Sequence, residues 1–256
     1  MFGKSAALTA SIPPGMRVYA IGDIHGGLDL LKEMLRMIER DNEAQPPAQT
    51  QLVFLGDYVD RGPDSKNVID RLLDSVPGGF ETVFLQGNHE ETMLYVALHG
   101  LHDPQVFDMW ISFGGCMTMA SYGVDVELLF SALSSGLSDV KRERVVEQFA
   151  SALPEQHLRF LSELKIFYTV GDYFFVHAGV HPGVPLDEQT SEACLWIRNE
   201  FLRHKGDFGK IVVHGHTPRP EPDIQSNRIG IDTGAYRTGR LTALCLEGES
   251  RRFLAT

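Results

Sequence analysis

The chain has 256 residues, 43% of them apolar, and a formal net charge of -11 at neutral pH. This apolar content excludes a disordered chain, and the negative charge argues against binding to nucleic acid or to anionic membranes. No apolar run approaches the ~20 residues that span a bilayer, and the polar first 15 residues do not resemble a secretory signal. Three distant cysteines (Cys116, Cys194 and Cys245) predict buried, reduced thiols in a cytoplasmic protein.

In chain order, the first half predicts three apolar strands, at 17–21, 52–55 and 83–85. Helices with apolar residues at i, i+3, i+4 and i+7 are predicted around 31–38 and over about 64–76. The interval 41–49 is polar and contains proline, so it is predicted to be a loop. This β-α-β-α-β order is typical of a parallel sheet with helical crossovers.

From about 90 to 164 the pattern changes to helices, around 93–98, 126–133, 145–153 and 158–164. We interpret this stretch as a helical insertion or cap, and we expect its Phe, Trp and Met residues to lie in the core. Beyond it, strands are predicted at 166–170, 173–177, 211–214, 228–232, 240–246 and 252–254, with a helix at 196–202. These strands predict a second sheet, mostly antiparallel, within one domain that covers residues 1–256.

Polar residues follow the predicted strands in a repeated pattern of Gly plus Asp or Asn, often with His nearby. The set is Asp23, His25, Asp57, Asn88, His177 and His216. Six nitrogen and oxygen ligands suit two divalent metals, with Asp57, on the middle of the first three strands, as the shared carboxylate. Mn²⁺, Fe and Zn²⁺ all tolerate such ligands, and Mn²⁺ is our first expectation. The alternative, six unrelated loop residues, requires several independent motifs to coincide.

Five motifs carry a resemblance to a known family: Gly-Asp-Ile-His-Gly, Gly-Asp-Tyr-Val-Asp-Arg-Gly, Gly-Asn-His-Glu, His-Ala-Gly and Gly-His-Thr-Pro. In this order they resemble the phosphoprotein phosphatase family of calcineurin-like metallophosphoesterases, in particular its bacterial and phage serine/threonine phosphatase branch. The resemblance implies an α/β fold, a four-layer α/β/β/α sandwich with a helical insertion. It implies one metal on Asp23, His25 and Asp57. It implies a second metal on Asp57, Asn88, His177 and His216.

The resemblance also implies the other roles. Arg61 and Arg198 resemble the two arginines that bind phosphate oxygens, and Asn88 would contact phosphate as well. His89 resembles the general acid, with Asp60 holding it protonated. A water or hydroxide between the metals would attack phosphorus in line. The alternatives are a helix-surface position for Arg198 and an Asp60–Arg61 salt bridge.

Two further residues are left with alternatives. His214 precedes Gly215-His216, and a His-x-His arrangement would make it a ligand, whereas the resemblance places it behind His216. Tyr236 is expected either to approach the substrate or to form part of a structural loop.

Three functions follow from this pattern. The first is dephosphorylation of phosphoserine and phosphothreonine in a protein partner. The second is hydrolysis of diadenosine tetraphosphate or a related dinucleotide; Asp60 before Arg61 and Glu90 after His89 favour the first over it. The third is a non-catalytic phosphate-binding scaffold, which a complete ligand set argues against.

Overall fold

A computed structural model describes residues 10–74, 79–125, 127 and 139–256 of the protein. Two five-stranded sheets form its centre. The first sheet has the strand order β10-β9-β1-β2-β3, with β1 Met16–Ile21, β2 Gln49–Phe54, β3 Glu81–Phe84, β9 Thr242–Glu247 and β10 Ser250–Ala255. The second sheet has the order β4-β5-β6-β8-β7, with β4 Phe167–Val170, β5 Tyr173–Val176, β6 Ile211–His214, β7 Asp223–Ile224 and β8 Arg228–Gly230.

The helices pack on the outer faces of these sheets and connect their strands. They are α1 Leu28–Glu43, α2 Ser65–Leu73, α3 Asn88–His99, α4 Pro104–Ser112, α5 Gly115–Ser121, α6 Asp139–Ala152, α7 Glu155–Ser162, α8 Ser191–Trp196, α9 Asn199–Arg203 and α10 Ala235–Thr238. Among the described residues, no helix combines the length and the apolar character that crossing a membrane requires.

The strand residues alternate between two apolar cores, which shows how the layers are ordered. In β2, Leu52 and Phe54 pack under the helices, whereas Val53 joins a core shared with Phe175 and Val213 of the second sheet. In an extended strand, successive side chains point to opposite faces, so one strand serves both cores. The other face of the second sheet packs on α8 and α9. The predicted four-layer α/β/β/α sandwich is therefore confirmed.

Several predicted elements differ from the structure. The second sheet is mixed rather than mostly antiparallel, because β6 runs parallel to both β5 and β8. Of the last two strands, β9 pairs with β1 and β10 pairs with β9, so both complete the first sheet. Residues 41–43 continue α1, and the helix predicted at 196–202 is broken into α8 and α9. The prediction missed α4 and α5, and the helix predicted around 126–133 lies almost wholly outside the described residues.

The topology brings the carboxyl ends of several parallel strands together. In the first sheet β1, β2 and β3 are mutually parallel, and in the second β5, β6 and β8 are. Ligands bind at the carboxyl ends of strands in such sheets, where the loops are free to converge. The motif residues follow these strands directly and therefore come from both sheets to one place.

A buried chain of hydrogen bonds ties α7 to α2. The Tyr122 hydroxyl donates to Nδ1 of His157 at 2.9 Å, and Nε2 of His157 donates to Asp70 at 2.9 Å. In this arrangement the imidazole is neutral, a form that burial favours by lowering the pKa of His157. The unfolded chain binds a proton near pH 6.5 and the folded protein does so only at lower pH. The stability from this group is therefore complete above pH 6.5 and is lost as the pH falls below it.

We expect His157→Leu to lower the free energy of unfolding by about 2 kcal/mol at pH 8, because it leaves the buried Tyr122 hydroxyl unpaired. The loss should shrink as the pH falls from 6.5 to 5. Urea unfolding of both proteins at pH 8, 6 and 5 measures it, with exposed His102→Leu as the control. A loss that stays the same at all three pH values would contradict the assigned neutral state.

Candidate metal centre and active site

The backbone around the motif residues is strained at five positions. Among the described residues, those other than glycine with positive φ are His25, Asp57, Asp60, Arg61 and His216. Each of them was predicted from sequence as a site residue. Left-handed backbone costs non-glycine residues about 1–3 kcal/mol each and persists only where the surroundings enforce it. These backbone conformations therefore lower the stability of the fold while they direct the five side chains inward.

Asp57 lies at the centre of the site and is shared by two groups of side chains. In one group Asp57 meets His25 and His89, and in the other it meets His177 and His216. Within each group, one possible ligand atom from every residue lies within 4.8 Å of the others. All five residues are buried. These groups can hold metal, and Asp57 is the carboxylate placed to serve both.

Hydrogen bonds fix the tautomers of two histidines so that lone pairs face the centre. Nδ1 of His25 donates to the Val59 carbonyl at 2.9 Å, and Nδ1 of His177 donates to the Leu55 carbonyl at 2.8 Å. Because a carbonyl only accepts, Nε2 of each neutral ring carries the lone pair. Nε2 of His25 is buried without a hydrogen-bond partner in the described part of the chain. The unpaired lone pair of this nitrogen can bind a cation.

Further acceptor atoms converge on His177. Its Nε2 lies 3.0 Å from Oδ1 of Asn88 and 3.1 Å from Nδ1 of His216. Burial lowers the pKa of His25 to about 3 and that of His216 to about 2, so both rings are neutral at pH 7. Neutral imidazoles, an amide oxygen and carboxylates form a donor set that fits Mn²⁺, Fe or Zn²⁺.

Asp23 lies beside the second group, at the loop that carries His216. Its carboxylate accepts a hydrogen bond from the His216 backbone N–H at 3.0 Å. Burial, and next the carboxylates of Asp232 and Asp57, raise the pKa of Asp23 well above its ordinary value. Burial likewise raises the pKa of Asp232 to about 6. Three buried carboxylates this close together need positive charge, which is a second sign that the site fits metal ions.

The predicted metal ligands are thus brought together, with two differences. His89 belongs to the compact group that contains His25, in the place where we expected Asp23. Asp232 was predicted only as the last residue of a strand, yet it lies buried beside Asp23. Sequence gave no signal for Asp232 beyond its position after the last strand of the second sheet. His214, in contrast, points away from the centre and contacts Arg228 and the Gly215 carbonyl.

His89 is held by a buried carboxylate. Its Nδ1 lies 2.6 Å from Oδ2 of Asp60, which also accepts from the indole of Trp110 at 2.9 Å. The other oxygen of Asp60 accepts from Thr118 at 2.5 Å. Burial alone would lower the pKa of His89, but the charges of Asp57 and Asp60 outweigh it and raise that pKa. The Asp60 carboxylate contacts His89 and not Arg61, and two helices missed from sequence, α4 and α5, supply its other hydrogen-bond donors.

The two arginines lie on either side of the histidines. Nη2 of Arg61 is 3.3 Å from Nε2 of His89. Nη1 of Arg198 donates to the His216 carbonyl and to the Thr217 hydroxyl, each at 3.2 Å. Arg198 occupies the break between α8 and α9, so it does not lie on a helix surface. Guanidinium groups in these places suit the oxygens of a phosphate group.

Tyr236 supports Arg61. The guanidinium carbon of Arg61 lies 4.6 Å from the centre of the Tyr236 ring, and the same ring packs edge-on against His25. This cation–π contact restricts a side chain that would otherwise sweep through solvent. Of the two alternatives for Tyr236, its position at the site agrees with the first.

We expect Tyr236→Leu to lower kcat/KM about 10-fold, because the cation–π contact that aims Arg61 is lost. Tyr236→Phe keeps the ring and should stay within about 2-fold of the wild type. Steady-state kinetics of both variants on one substrate measures the effect. Equal losses in the two variants would show that the hydroxyl, and not the ring, matters.

Glu90 organises the central loop rather than facing a substrate. Its buried carboxylate accepts four backbone N–H groups, from Gly87 and from the three consecutive residues 57–59, at 2.7–3.2 Å. Burial, and next the charge of Asp57, raise the pKa of Glu90 to about 7. The identity of this residue reports on loop geometry, so it does not distinguish one substrate from another.

We expect Glu90→Gln to lower the free energy of unfolding by about 3 kcal/mol, since the new amide NH₂ group faces backbone donors and leaves them unpaired. Urea unfolding measures the change. Glu91→Gln is the matched control, because Glu91 accepts one hydrogen bond, from Trp196, that glutamine also accepts. Similar losses in both variants would contradict the special role of Glu90.

Comparison with known proteins agrees with this architecture. Residues 16–242 match the family model described as calcineurin-like phosphoesterase. The chain therefore belongs to the calcineurin-like phosphoesterase family, and it is a phosphoester hydrolase. The broader family in the sequence resemblance is confirmed. The curated relatives described next are not named for its protein serine/threonine phosphatase branch.

Curated relatives of this chain are named for the hydrolysis of dinucleotides. The chain is 26% identical over 248 residues to a bis(5'-nucleosyl)-tetraphosphatase PrpE [asymmetrical] of Oceanobacillus iheyensis, covering 89% of this chain and 88% of that protein. It is 28% identical to a protein of the same name from Bacillus thuringiensis, covering 90% of each chain. A crystal structure assigned provisionally to a diadenosine tetraphosphatase superposes with a TM-score of 0.60 and 22% identity, covering 97% of this chain and 94% of the other. This last similarity shows the fold.

Proposed function

We propose that this protein hydrolyses bis(5'-nucleosyl) tetraphosphates asymmetrically, into a nucleoside triphosphate and a nucleoside monophosphate. The observation that carries the proposal is its similarity, over 88–90% of both chains, to relatives named for this activity. Two arginines beside buried metal-binding groups support it, because a chain of phosphates needs several cationic contacts. The dinucleotide activity was the alternative in the sequence interpretation, and the Glu90 argument against it no longer applies.

The proposed metal centre has two divalent ions, with Mn²⁺ as the first expectation. As the family resemblance implies, Asp57 would be shared, His25 and Asp23 would serve one ion, and Asn88, His177 and His216 the other. Bound metals supply a water that is nucleophilic at neutral pH and positive charge for the phosphate oxygens.

The protein's own groups would do the rest. Arg61 and Arg198 would grip the oxygens of the phosphate under attack and stabilise their added charge. His89, kept protonated by Asp60, would donate a proton to the leaving oxygen. The strained, buried loops hold these groups in place before substrate arrives, so little reorganisation is required at the moment of reaction.

A second candidate is the protein serine/threonine phosphatase that the motifs first suggested, with a phosphorylated protein as partner. The contact of 2.6 Å between His89 and Asp60 favours it. An alkoxide is a poor leaving group and needs a proton donor, whereas a departing phosphate needs one much less. A cytoplasmic location is part of both proposals.

The test is product analysis with two substrates side by side in Mn²⁺, with and without chelator. We expect diadenosine tetraphosphate to give ATP and AMP, and chelator to abolish turnover. Two molecules of ADP would contradict asymmetrical cleavage. Turnover of a phosphoserine peptide with the dinucleotide left intact would replace the proposal by the second candidate. No chelator-sensitive turnover of either substrate would favour a non-catalytic scaffold.

A further inference from the structure

Five rings form a continuous row across the site. In order they are Tyr236, His25, His89, Phe113 and Trp196. Neighbouring ring centres in this row are 4.7–6.4 Å apart. The two histidines occupy the middle, Tyr236 lies at the end near Arg61, and Phe113 with Trp196 forms the other end. The Tyr236 ring already serves Arg61, so the second end is the one with no assigned task.

Phe113 was expected in the core, yet it is 37% exposed, next to His89. An exposed phenylalanine ring loses the free energy that burial normally contributes. An exposed ring beside reactive groups therefore indicates a ligand-binding surface. The row therefore ends in apolar surface where the rest of the site is polar and charged.

The position of Phe113 is fixed by its neighbour along the chain. Gly114 has φ 107°, and an added Cβ there would approach the Arg61 backbone nitrogen to 2.7 Å. The Gly114 carbonyl also accepts a hydrogen bond from that nitrogen at 3.4 Å. Because Gly114 packs on the backbone of Arg61, Phe113 is held in place in the absence of a ligand.

Trp196 is fixed from two sides. Its indole N–H donates to Glu91 at 2.7 Å, and Glu91 lies two residues beyond His89 on α3. Along the chain, Trp196 precedes Arg198 by two residues. The aromatic pair therefore bridges the proton donor on one side and a phosphate-binding arginine on the other. Such an apolar surface beside phosphate-binding groups suits a ligand with a planar ring close to a phosphate.

We propose that Phe113, backed by Trp196, binds the nucleobase of the substrate half that is released as nucleoside monophosphate. This proposal rests on the proposed function. The rings of Phe113 and Trp196 are 6.4 Å apart and tilted by 41°, so a base cannot insert between them and instead stacks on the exposed face of Phe113. A base lies one ribose from its 5'-phosphate, a short span that suits a surface adjoining His89. The second base of the dinucleotide lies beyond the remaining three phosphates, too far from His89 to reach Phe113.

The kinetic test separates binding from chemistry. We expect Phe113→Leu, which keeps apolar volume and removes the ring, to raise KM for diadenosine tetraphosphate about 5- to 100-fold. The value of kcat should change less than about 2-fold, and Phe113→Tyr should restore KM. Tyr95→Leu is the matched control, because Tyr95 is a half-buried ring that packs on His99 further along α3. Unchanged KM in Phe113→Leu would overturn the proposal, and so would equal losses in the Leu and Tyr variants.

A binding measurement on the metal-loaded protein distinguishes failure of this inference from failure of the proposed function. Trp110 is fully buried, so quenching of tryptophan fluorescence by a ligand reports on Trp196. We expect AMP to bind at least about 5-fold more tightly than ribose 5-phosphate, and Phe113→Leu to remove that difference.

If AMP binding depends on Phe113 but no dinucleotide is cleaved, the proposed function fails and the base site stands. If the dinucleotide is cleaved but AMP and ribose 5-phosphate bind equally, the base site is overturned. The nucleobase site would also be overturned if Phe113→Leu weakened the binding of a phosphotyrosine peptide and left the binding of AMP unchanged.

Discussion

Replacement of Asp57 by asparagine is expected to reduce phosphoester hydrolysis by about 10³-fold or more. Asp57 is the residue that belongs to both histidine groups, so losing its charge weakens both proposed metal positions at once. Asparagine keeps the size of the side chain, removes its charge and replaces one possible ligand oxygen by an NH₂ group. The expected result is therefore a folded protein with little bound metal and little activity.

Two measurements check this prediction: kcat in excess Mn²⁺, and metal content per chain by elemental analysis. The matched control is Asp29→Asn, because the Asp29 side chain is 98% exposed on α1 and lies outside the site. A circular dichroism spectrum establishes that the variant is folded. An Asp57→Asn protein that retains full metal content and a tenth of the activity would show that Asp57 is not the shared carboxylate.

For His89→Asn, the size of the effect should depend on the leaving group. We expect kcat for phosphoserine to fall about 10²- to 10⁴-fold, because an alkoxide leaves only as it receives a proton. Hydrolysis of an aryl phosphate should fall much less. Cleavage of diadenosine tetraphosphate should resemble the aryl case, since the departing phosphate has a pKa near ~6 and leaves as an anion.

The control for this experiment is the metal content, because His89 also lies in the compact group with His25 and Asp57. If metal content is unchanged and the losses on all three substrates are equal, His89 is not the proton donor. If metal is lost, His89 is a ligand, and the role proposed for it must pass to another residue. The three-substrate comparison thus tests whether this chain suits alkyl monoesters, dinucleotides or both.

The site could be predicted from sequence where local chain geometry was sufficient. Strand-Gly-Asp turns such as the one at Asp57 place a carboxylate beyond a strand end whatever the rest of the fold does. In the corresponding turn at Asp23, His25 follows two residues later. Because each motif is a short contiguous stretch, the backbone conformation that aims its side chain is encoded next to it.

Residues recruited from far along the chain could not be predicted in this way. Trp110 and Thr118 bind Asp60 from 50 and 58 residues away. Phe113 is an apolar residue of a type that normally lies in the core. Only the packing of Gly114 on the Arg61 backbone brings it to the surface beside His89. Glu90 has the appearance of a substrate-facing acid in sequence, whereas in three dimensions it accepts four backbone N–H groups.

The sequence by itself determined the family, the layered α/β fold and the side chains that gather around Asp57, because all of these depend on short motifs and on strand periodicity. The tertiary structure alone decided which sheet the last two strands join, which groups hold Asp60, and which aromatic ring lies exposed beside His89. These outcomes depend on contacts between distant segments, and such contacts are set by how apolar faces pack and not by any pattern within one stretch.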